Sequence, residues 1–238
     1  MKTKFHFITM LIILFTPLLL TACIYSNGGF GDEVEEEWKV GDFDGIIVTS
    51  GVDINLSQGE VTRVIIRADE DIMDDVEVEV RGGRLEISVD RKWFRSGHVE
   101  ADVTFRDIDL LDVNAGSDVE GRGLLRFDDL EIEASSGSDL ELELEAREVS
   151  ITASSGSDAT LRGGCRDFIA RASSGSDIDA FDFQVENARL DLSSGSDVKV
   201  WVTGSLEVDA SSGSDVHYRG DPEVVNLNTS GGSDITKR

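Results

Sequence analysis

The sequence contains few of the residues that build catalytic and metal centres. Its 238 residues include 3 histidines, 2 cysteines and 2 prolines, which leaves little material for a histidine-based triad or a zinc site. Two cysteines cannot form a disulfide framework. Basic residues are also scarce, with 22 against 48 acidic ones. The formal charge of −26 disfavours a nucleic-acid partner, because an acidic surface repels phosphate groups.

The N-terminus carries the pattern of a secretory signal peptide. Two lysines precede the apolar run Phe5–Leu20, which is short for a membrane-spanning helix and is interrupted by Pro17. The run ends in Leu20-Thr21-Ala22-Cys23, which resembles the lipobox of bacterial lipoprotein precursors. This resemblance implies cleavage before Cys23 and acylation of its sulfur, and several acyl chains form a durable anchor. The alternative is an ordinary signal peptide followed by an unmodified cysteine.

The predicted domain organisation follows from this signal. We expect residues 1–22 to be the lipoprotein signal peptide and residues 23–37 to be a flexible acidic tether. Residues 38–238 contain no obvious linker, so we expect them to form a single domain. Ile24 stands where enteric lipoproteins retained in the inner membrane have aspartate. We therefore expect a lipid-anchored protein of the bacterial cell envelope that is sorted to the outer membrane.

Most of the chain is an internal repeat. The sequence Ser-Ser-Gly-Ser-Asp occurs five times, and a degenerate copy precedes and follows the series. Successive repeat aspartates are 18 to 21 residues apart, at Asp118, Asp139, Asp158, Asp177, Asp197, Asp215 and Asp234. A period of about 19 residues suits one coil of a β-solenoid and is too short for helical repeats.

Within each repeat, apolar and charged residues alternate with a period of two. Leu140, Leu142 and Leu144, for example, are separated by Glu141 and Glu143. This alternation is typical of strands that bury one set of side chains and expose the other. Stacked coils would pair each strand with its copy about 4.8 Å away. The sequence therefore predicts an all-β fold, a parallel β-solenoid with coils of about 19 residues.

The segment before the regular repeats predicts irregular early coils. Several short runs alternate as strands between residues 38 and 113, and Arg81-Gly82-Gly83-Arg84 has the composition of a hairpin turn. Residues 69–75 are expected to form one helical turn. The unit Ser50-Gly51-Val52-Asp53 echoes the later repeats.

These features together resemble a known family. Phe43-Asp44-Gly45-Ile46, the Ser50–Asp53 unit, the serial Ser-Gly-Ser-Asp turns and the closing Gly220–Val225 segment are similar to the "putative auto-transporter adhesin, head GIN domain" family. The resemblance covers about residues 40–238. It implies a right-handed parallel β-helix in an envelope protein, often a lipoprotein, with an adhesin-like role. It provides no catalytic residues to carry over.

The aspartate column is the first candidate site. If Leu140 points inward, Asp139 points outward, and the same holds in every coil. Carboxylate oxygens suit Ca²⁺, and the hypothetical ligands would be Asp139, Asp158, Asp177, Asp197 and Asp215. The favoured alternative is structural, with Ser and Asp side chains bonding the amides of their own turns. We therefore expect no cofactor. On this interpretation the pKa of each carboxyl is lowered, and stability is lost on acidification.

Three aromatic residues are candidates for an interaction surface. Trp93 and Phe94 lie in the basic segment Arg91–Arg95, between two predicted strands. They would either contact a partner or cover an open edge of the early coils. Trp201 lies between inward-facing valines and is expected to face solvent.

The sequence favours a binding, adhesion or structural module and not an enzyme. Its acidic residues recur with the repeat, whereas a catalytic pair should interrupt the repeat at one place. The expected partners are the membrane, through the lipid anchor, and an unidentified protein or glycan at the cell envelope. The alternative is a polysaccharide-active hydrolase or lyase built on a β-helix.

Overall fold

The computed structural model describes residues 32–90 and 97–238, and strands account for 71% of these residues against 2% for helix. The architecture is a β-solenoid of about seven turns of roughly 19 residues, which confirms the predicted fold class. The 16 described strands belong to one continuous sheet, which winds around a narrow apolar interior.

The N-terminal part is built from short strands and one helical turn. Its elements are β1 (Glu33–Trp38), β2 (Gly45–Val48), β3 (Asp53–Gln58), β4 (Arg63–Asp69), α1 (Glu70–Met73), β5 (Val76–Arg81), β6 (Arg84–Val89), β7 (Val99–Phe105) and β8 (Leu110–Val113). Strand pairs β1/β4, β4/β7 and β5/β6 are antiparallel, whereas β2 and β3 pair in parallel with their neighbours. The predicted hairpin turn and helical turn are both present in this part.

From Asp118 to Ala210, each regular coil is a single long strand that bends around the axis, and shorter strands form the coils that follow. The strands are β9 (Asp118–Ser135), β10 (Asp139–Ser154), β11 (Asp158–Ser173), β12 (Asp177–Ser193), β13 (Asp197–Ala210), β14 (Asp215–Arg219), β15 (Glu223–Thr229) and β16 (Asp234–Lys237). Neighbouring coils pair in parallel, and the register places each repeat aspartate beside the next. The sequence repeat therefore becomes a spatial repeat.

The alternation predicted from the sequence separates inside from outside. Leu140, Leu142 and Leu144 are buried, while Glu141 and Glu143 are exposed. Most apolar side chains stack on an apolar equivalent in the adjacent coil, as Leu142 does on Leu161, and these columns form the core. Burial of such columns is the main stabilising contribution in a fold with few non-repeating contacts.

The Ser-Ser-Gly-Ser-Asp turn has the same conformation in each copy. Ser155 and Gly156 both adopt a positive φ, of 58° and 71° respectively. The following Ser157 is fully buried, and its hydroxyl accepts a hydrogen bond from the Ser154 amide at 3.0 Å. The same hydroxyl lies 2.9 Å from the carbonyl oxygens of Ser154 and Ala134, to one of which it donates its proton. The turn is thereby tied both to itself and to the previous coil.

The last five residues of the predicted flexible tether belong to a strand. Residues 33–38 form β1, which pairs with β4. Arg67 and Arg63 bind Glu35 and Glu37 at 2.9 and 3.1 Å, and Trp38 packs against the core. These cross-strand partners, distant in sequence, draw a run of glutamates into a strand. Cys23 and residues 24–31 of the predicted tether lie outside the described residues.

Candidate functional site

The repeat aspartates lie on one edge of the solenoid. In the regular coils their carboxylates follow one another at the same register position. The column continues into the N-terminal part, because Ile54 pairs with Val119 and so places Asp53 beside Asp118. We call the full set the aspartate edge: Asp53, Asp118, Asp139, Asp158, Asp177, Asp197, Asp215 and Asp234.

A groove of about 500 Å³ runs along the N-terminal half of this edge. Besides the carboxylates of the edge, it contains the imidazole of His98, the amide of Asn55 and the hydroxyl of Thr160. Its lining is Asp53, Ile54, Asn55, His98, Glu100, Asp118, Val119, Glu120, Asp139, Leu140, Glu141, Asp158 and Thr160. Sequence reasoning did not anticipate the contribution of Glu100 and His98, because it depends on the pairing of β7 with β3. The similarity of Ser50–Asp53 to the later repeats was the sequence signal that the N-terminal part joins this edge.

Arginine side chains approach the groove at two places, at Glu100 and at Glu141. Arg67 and Arg122 both approach Glu100, at 3.8 and 3.9 Å. His98 Nδ1 lies 3.4 Å from Asp53. Farther along, Asp118, Asp139 and Asp158 form no ion pair within the described part of the chain. Since Arg162 binds Glu141, the unneutralised charge of the groove is concentrated on these edge aspartates.

The carboxylates bond to the neighbouring coil and not to their own turn. Asp118 Oδ1 accepts a hydrogen bond from the backbone amide of Asp139 at 3.2 Å, and Asp215 Oδ1 accepts one from Asp234 at the same distance. The expected capping of the own turn is therefore wrong for the aspartates. It is correct for the buried serine of each turn, as described above for Ser157.

Two carboxyls of the edge have a perturbed acidity. Burial, followed by the neighbouring carboxylates Asp118 and Asp158, raises the pKa of Asp139 above its usual value. Burial and its neighbours Asp197 and Asp158 raise the pKa of Asp177 in the same way. Each carboxylate accepts an amide hydrogen bond that opposes this effect, but the expected lowering of the pKa is wrong at these two residues. Asp177 lies outside the groove, so the raised pKa is not particular to the groove.

Comparison with known proteins identifies the family. The sequence profile described as "Putative auto-transporter adhesin, head GIN domain" matches residues 42–222. The chain belongs to this family. The match confirms the resemblance inferred from the Phe43–Ile46 opening and the serial turns.

Solved structures share the fold of this head GIN domain. A "putative adhesin" from Bacteroides fragilis superposes with a TM-score of 0.79 at 18% identity, over 87% of this chain and 97% of the other. A "putative lipid binding protein" from Parabacteroides distasonis gives 0.71 at 19% identity, over 87% and 98%. A "putative adhesin" from Parabacteroides merdae gives 0.72 at 14% identity, over 87% and 98%. At these identities the likeness concerns the fold alone. No curated protein matches the chain.

The carboxylates of the head GIN domain are arranged along a line and do not surround a point. Within residues 32–90 and 97–238, no group of three or more Asp, Glu, His or Cys side chains is placed to hold one metal ion. Ca²⁺ takes six to eight oxygen ligands around a centre, whereas parallel stacking spaces the aspartates coil by coil. Metal binding by Asp139, Asp158, Asp177, Asp197 and Asp215 stays an untested hypothesis.

Trp201 is not a free aromatic anchor. The guanidinium of Arg219, one coil farther on, lies 4.4 Å from the centre of the indole ring. The same guanidinium is 5.8 Å from the Phe181 ring and binds Asp182 at 3.3 Å. The indole is half-buried in this stack, which joins three coils. Trp93 and Phe94 lie outside the described residues, so their predicted role in an interaction surface stays a prediction.

Cys165 is a structural residue at a coil corner. Its thiol is half-buried and donates to the carbonyl oxygen of Asp167 at 3.3 Å. Burial raises the pKa of the Cys165 thiol to about 12, so the nucleophilic thiolate is scarce at neutral pH. The described residues also contain no helix long and apolar enough to cross a membrane.

Proposed function

We propose that the protein is a lipid-anchored binding or adhesion module of the bacterial cell envelope, and that it is not an enzyme. Membership of the adhesin-like family supports the binding role and an association with the envelope. Two solved structures of the same fold carry adhesin descriptions, which agrees with this role. The lipobox-like sequence ending in Cys23 supports the anchor.

The observation that carries the proposal is the unbroken repeat of the exposed edge. Acid–base chemistry by two carboxyls needs two unlike environments, one that keeps its proton and one that loses it. Here Asp139 and Asp177 have the same register, the same type of neighbours and the same direction of pKa change. Two equivalent carboxyls in different coils are suited to display and multipoint binding, and neither is set apart as a distinct reaction centre.

The chemistry of the groove defines the ligand class. Ionised carboxylates are acceptors only, and Asp118, Asp139 and Asp158 have no cationic partner in the described part of the chain. A ligand that fits must therefore supply hydrogen-bond donors, and preferably positive charge. Basic protein segments and amino-sugar glycans meet this requirement, whereas phosphate-rich and sulfated polymers are repelled.

The ligand class is testable with paired substitutions on the same edge. Asp139→Asn with Asp158→Asn removes two charges inside the groove, and Asp197→Asn with Asp215→Asn removes two outside it. Binding of the full chain to immobilised oligolysine and to amino-sugar oligosaccharides is measured, with a sulfated polysaccharide as the anionic probe. We expect the first pair to lower binding more than the second. Equal losses, or preference for the sulfated polymer, would contradict the groove as the binding surface.

The enzyme alternative has its own readout. If the edge were a glycosidase site, the full chain should release reducing ends or unsaturated products from envelope or host polysaccharides. Asp139→Asn should then abolish that release. We expect no turnover with either the native chain or the variant, and catalytic release from any such substrate would refute the proposal.

A further inference from the structure

A second pocket is built on strands β11, β12 and β13, and it shares no residue with the groove of the aspartate edge. Its volume is about 300 Å³, at the lower end of the range for small-molecule sites. Phe168 and Ala188, which are buried and face the core, form its base. Outward side chains of three successive coils surround this base.

The pocket lies where two outward-facing acidic rows are interrupted. One row, in register across the coils, is Asp129, Glu148, Asp167, Asn187, Ser205 and Glu223. The adjacent outward row is Glu131, Ser150, Ile169, Arg189 and Glu207. At the pocket, an amide and a hydroxyl therefore replace the carboxylates of the first row, and an apolar side chain stands beside them in the second. In a chain with a formal charge of −26, this is a local change towards neutral hydrogen-bonding groups.

A chain of hydrogen bonds fixes the polar side of the pocket. The Asn187 amide donates to Asp167 Oδ1 at 2.9 Å, and the Ser205 hydroxyl donates to Asn187 Oδ1 at 2.7 Å. Arg166 donates to the other carboxylate oxygen of Asp167 at 2.7 Å. Beyond these bonds, the Asn187 amide retains an N–H and the Ser205 hydroxyl retains its lone pairs. The pocket therefore presents both donors and acceptors at fixed positions.

The charged side chains at the pocket are paired with each other. Asp167 pairs with Arg166, and Arg189 binds Glu207 at 3.2 Å. A cationic ligand consequently gains little here, and an anionic ligand is repelled by the net charge of the chain. The half-buried side chain of Ile169 adds an apolar contact. These properties match a sugar ring, whose hydroxyl groups donate and accept hydrogen bonds and whose C–H faces are apolar.

We propose that this pocket binds a neutral sugar, with Asn187 and Ser205 bonding its hydroxyl groups and Ile169 packing against its ring. The volume suits one sugar ring at the end of a larger glycan. The inference goes beyond the proposed function, because the carboxylates of the aspartate edge are acceptors only and select donor-rich, basic ligands. The two sites take different ligands, so either can fail without the other.

A glycan array tests the class of ligand. Full chain, purified in mild detergent, is applied to glycans that end in neutral hexoses, deoxyhexoses or N-acetylhexosamines, with sialylated and sulfated glycans on the same array. We expect binding to glycans with neutral ends and not to the acidic ones. Preference for the acidic glycans, or binding to none of the glycans, would overturn the proposal.

Substitutions at the pocket test the position of the sugar. Ser205→Ala removes the hydroxyl, and Ile169→Thr removes apolar surface while it keeps a β-branched side chain. Both side chains point outward, so neither change disturbs the core. We expect each variant to bind the preferred neutral glycan about fivefold more weakly in titration calorimetry.

Two controls separate this pocket from the rest of the surface. Ser150→Ala, in the same outward row as Ile169 but outside the pocket, should leave sugar affinity unchanged. Asp139→Asn with Asp158→Asn, in the groove of the aspartate edge, should also leave it unchanged. Unaltered affinity in both pocket variants, an equal loss with Ser150→Ala, or a loss confined to the aspartate pair would overturn the proposal.

Discussion

Two of the three serines in each turn have chemically different environments. The first lies at positive φ and is exposed, as Ser174 is, with φ of 58°. The second is fully buried, as Ser176 is, and its hydroxyl bonds to backbone groups of two coils. The sequence shows the two serines as equally repeated residues. Their roles differ because the turn geometry directs only the second hydroxyl inward.

Removal of the buried hydroxyl should therefore be the more costly change. Ser176→Ala leaves the Ser173 amide without its acceptor and removes a donor that serves the carbonyls of Ser173 and Ala153. We expect it to lower the free energy of unfolding by about 1–3 kcal/mol. Ser174→Ala, two residues away, should change it by less than about 0.5 kcal/mol. Urea denaturation measures both, and similar losses would contradict the assigned hydrogen bonds.

The raised pKa values of two edge carboxyls predict that the folded chain loses stability as the pH rises. The pKa of Asp139 and of Asp177 is higher in the folded chain than in the unfolded chain. Below the unfolded value both states are protonated, so neither residue carries a penalty. Stability then falls as pH rises from the unfolded pKa through the folded pKa, and levels off above it. Asp139→Asn with Asp177→Asn should raise the melting temperature at pH 7, and the gain should shrink towards pH 3.

Asp167 provides a control of opposite sign. The Asn187 amide and the Arg166 guanidinium lower the pKa of Asp167. The contribution of Asp167 to the free energy of unfolding is present above its pKa in the unfolded chain, and it is lost as the pH falls through its pKa in the folded chain. Asp167→Asn should therefore lower the melting temperature at pH 7.

The aspartate edge has no arranged set of metal ligands, so Ca²⁺ should shift the melting temperature of the native chain no more than Mg²⁺. A large Ca²⁺-selective shift would contradict the absence of a calcium site. A lower melting temperature at pH 7 in the variant with both Asp139→Asn and Asp177→Asn would contradict the raised pKa of these two carboxyls.

At the scale of elements, the long bent strands depend on the separation of inside from outside. Leu142 is 1% exposed and stacks on Leu161 of the next coil. Leu142→Asp would bury an unpaired carboxylate, and we expect a loss of several kcal/mol, on the order of 4. Glu141→Gln removes only an exposed ion pair with Arg162, so we expect a change below about 1 kcal/mol. Comparable losses in thermal or urea denaturation would mean that the alternation does not mark the two faces.

The regular coils were predictable from sequence, and the N-terminal elements only in part. In the coils, one short motif encodes turn, register and burial at once, so its repetition specifies the neighbour of every strand. The hairpin at Gly82-Gly83 and the turn of α1 are local and were also predictable. The assignment of residues 33–37 to a flexible tether was wrong, because the strand that contains them depends on Arg63 and Arg67, about thirty residues away. The contact of Arg219 with Trp201 was not predicted for the same reason, because the two residues meet only when their coils stack.

At the scale of the whole molecule, the proposed function requires a lipid anchor on the acidic solenoid. Cys23→Ser should release the protein from the membrane fraction, because the mature chain would lose its acyl chains. Fractionation of cells that express each form measures the change, and Thr21→Ser, which leaves the cysteine intact, is the matched control. Continued sedimentation of the Cys23→Ser protein with membranes would contradict a single lipid anchor.

The proposed adhesion role requires that ligands outside the cell reach the solenoid. Protease treatment of intact cells, followed by detection of the residues beyond Glu33, measures this accessibility directly. The account predicts that the solenoid is lost from intact cells while a periplasmic marker stays whole. Full protection of the solenoid until the outer membrane is breached would contradict an adhesion role at the cell surface.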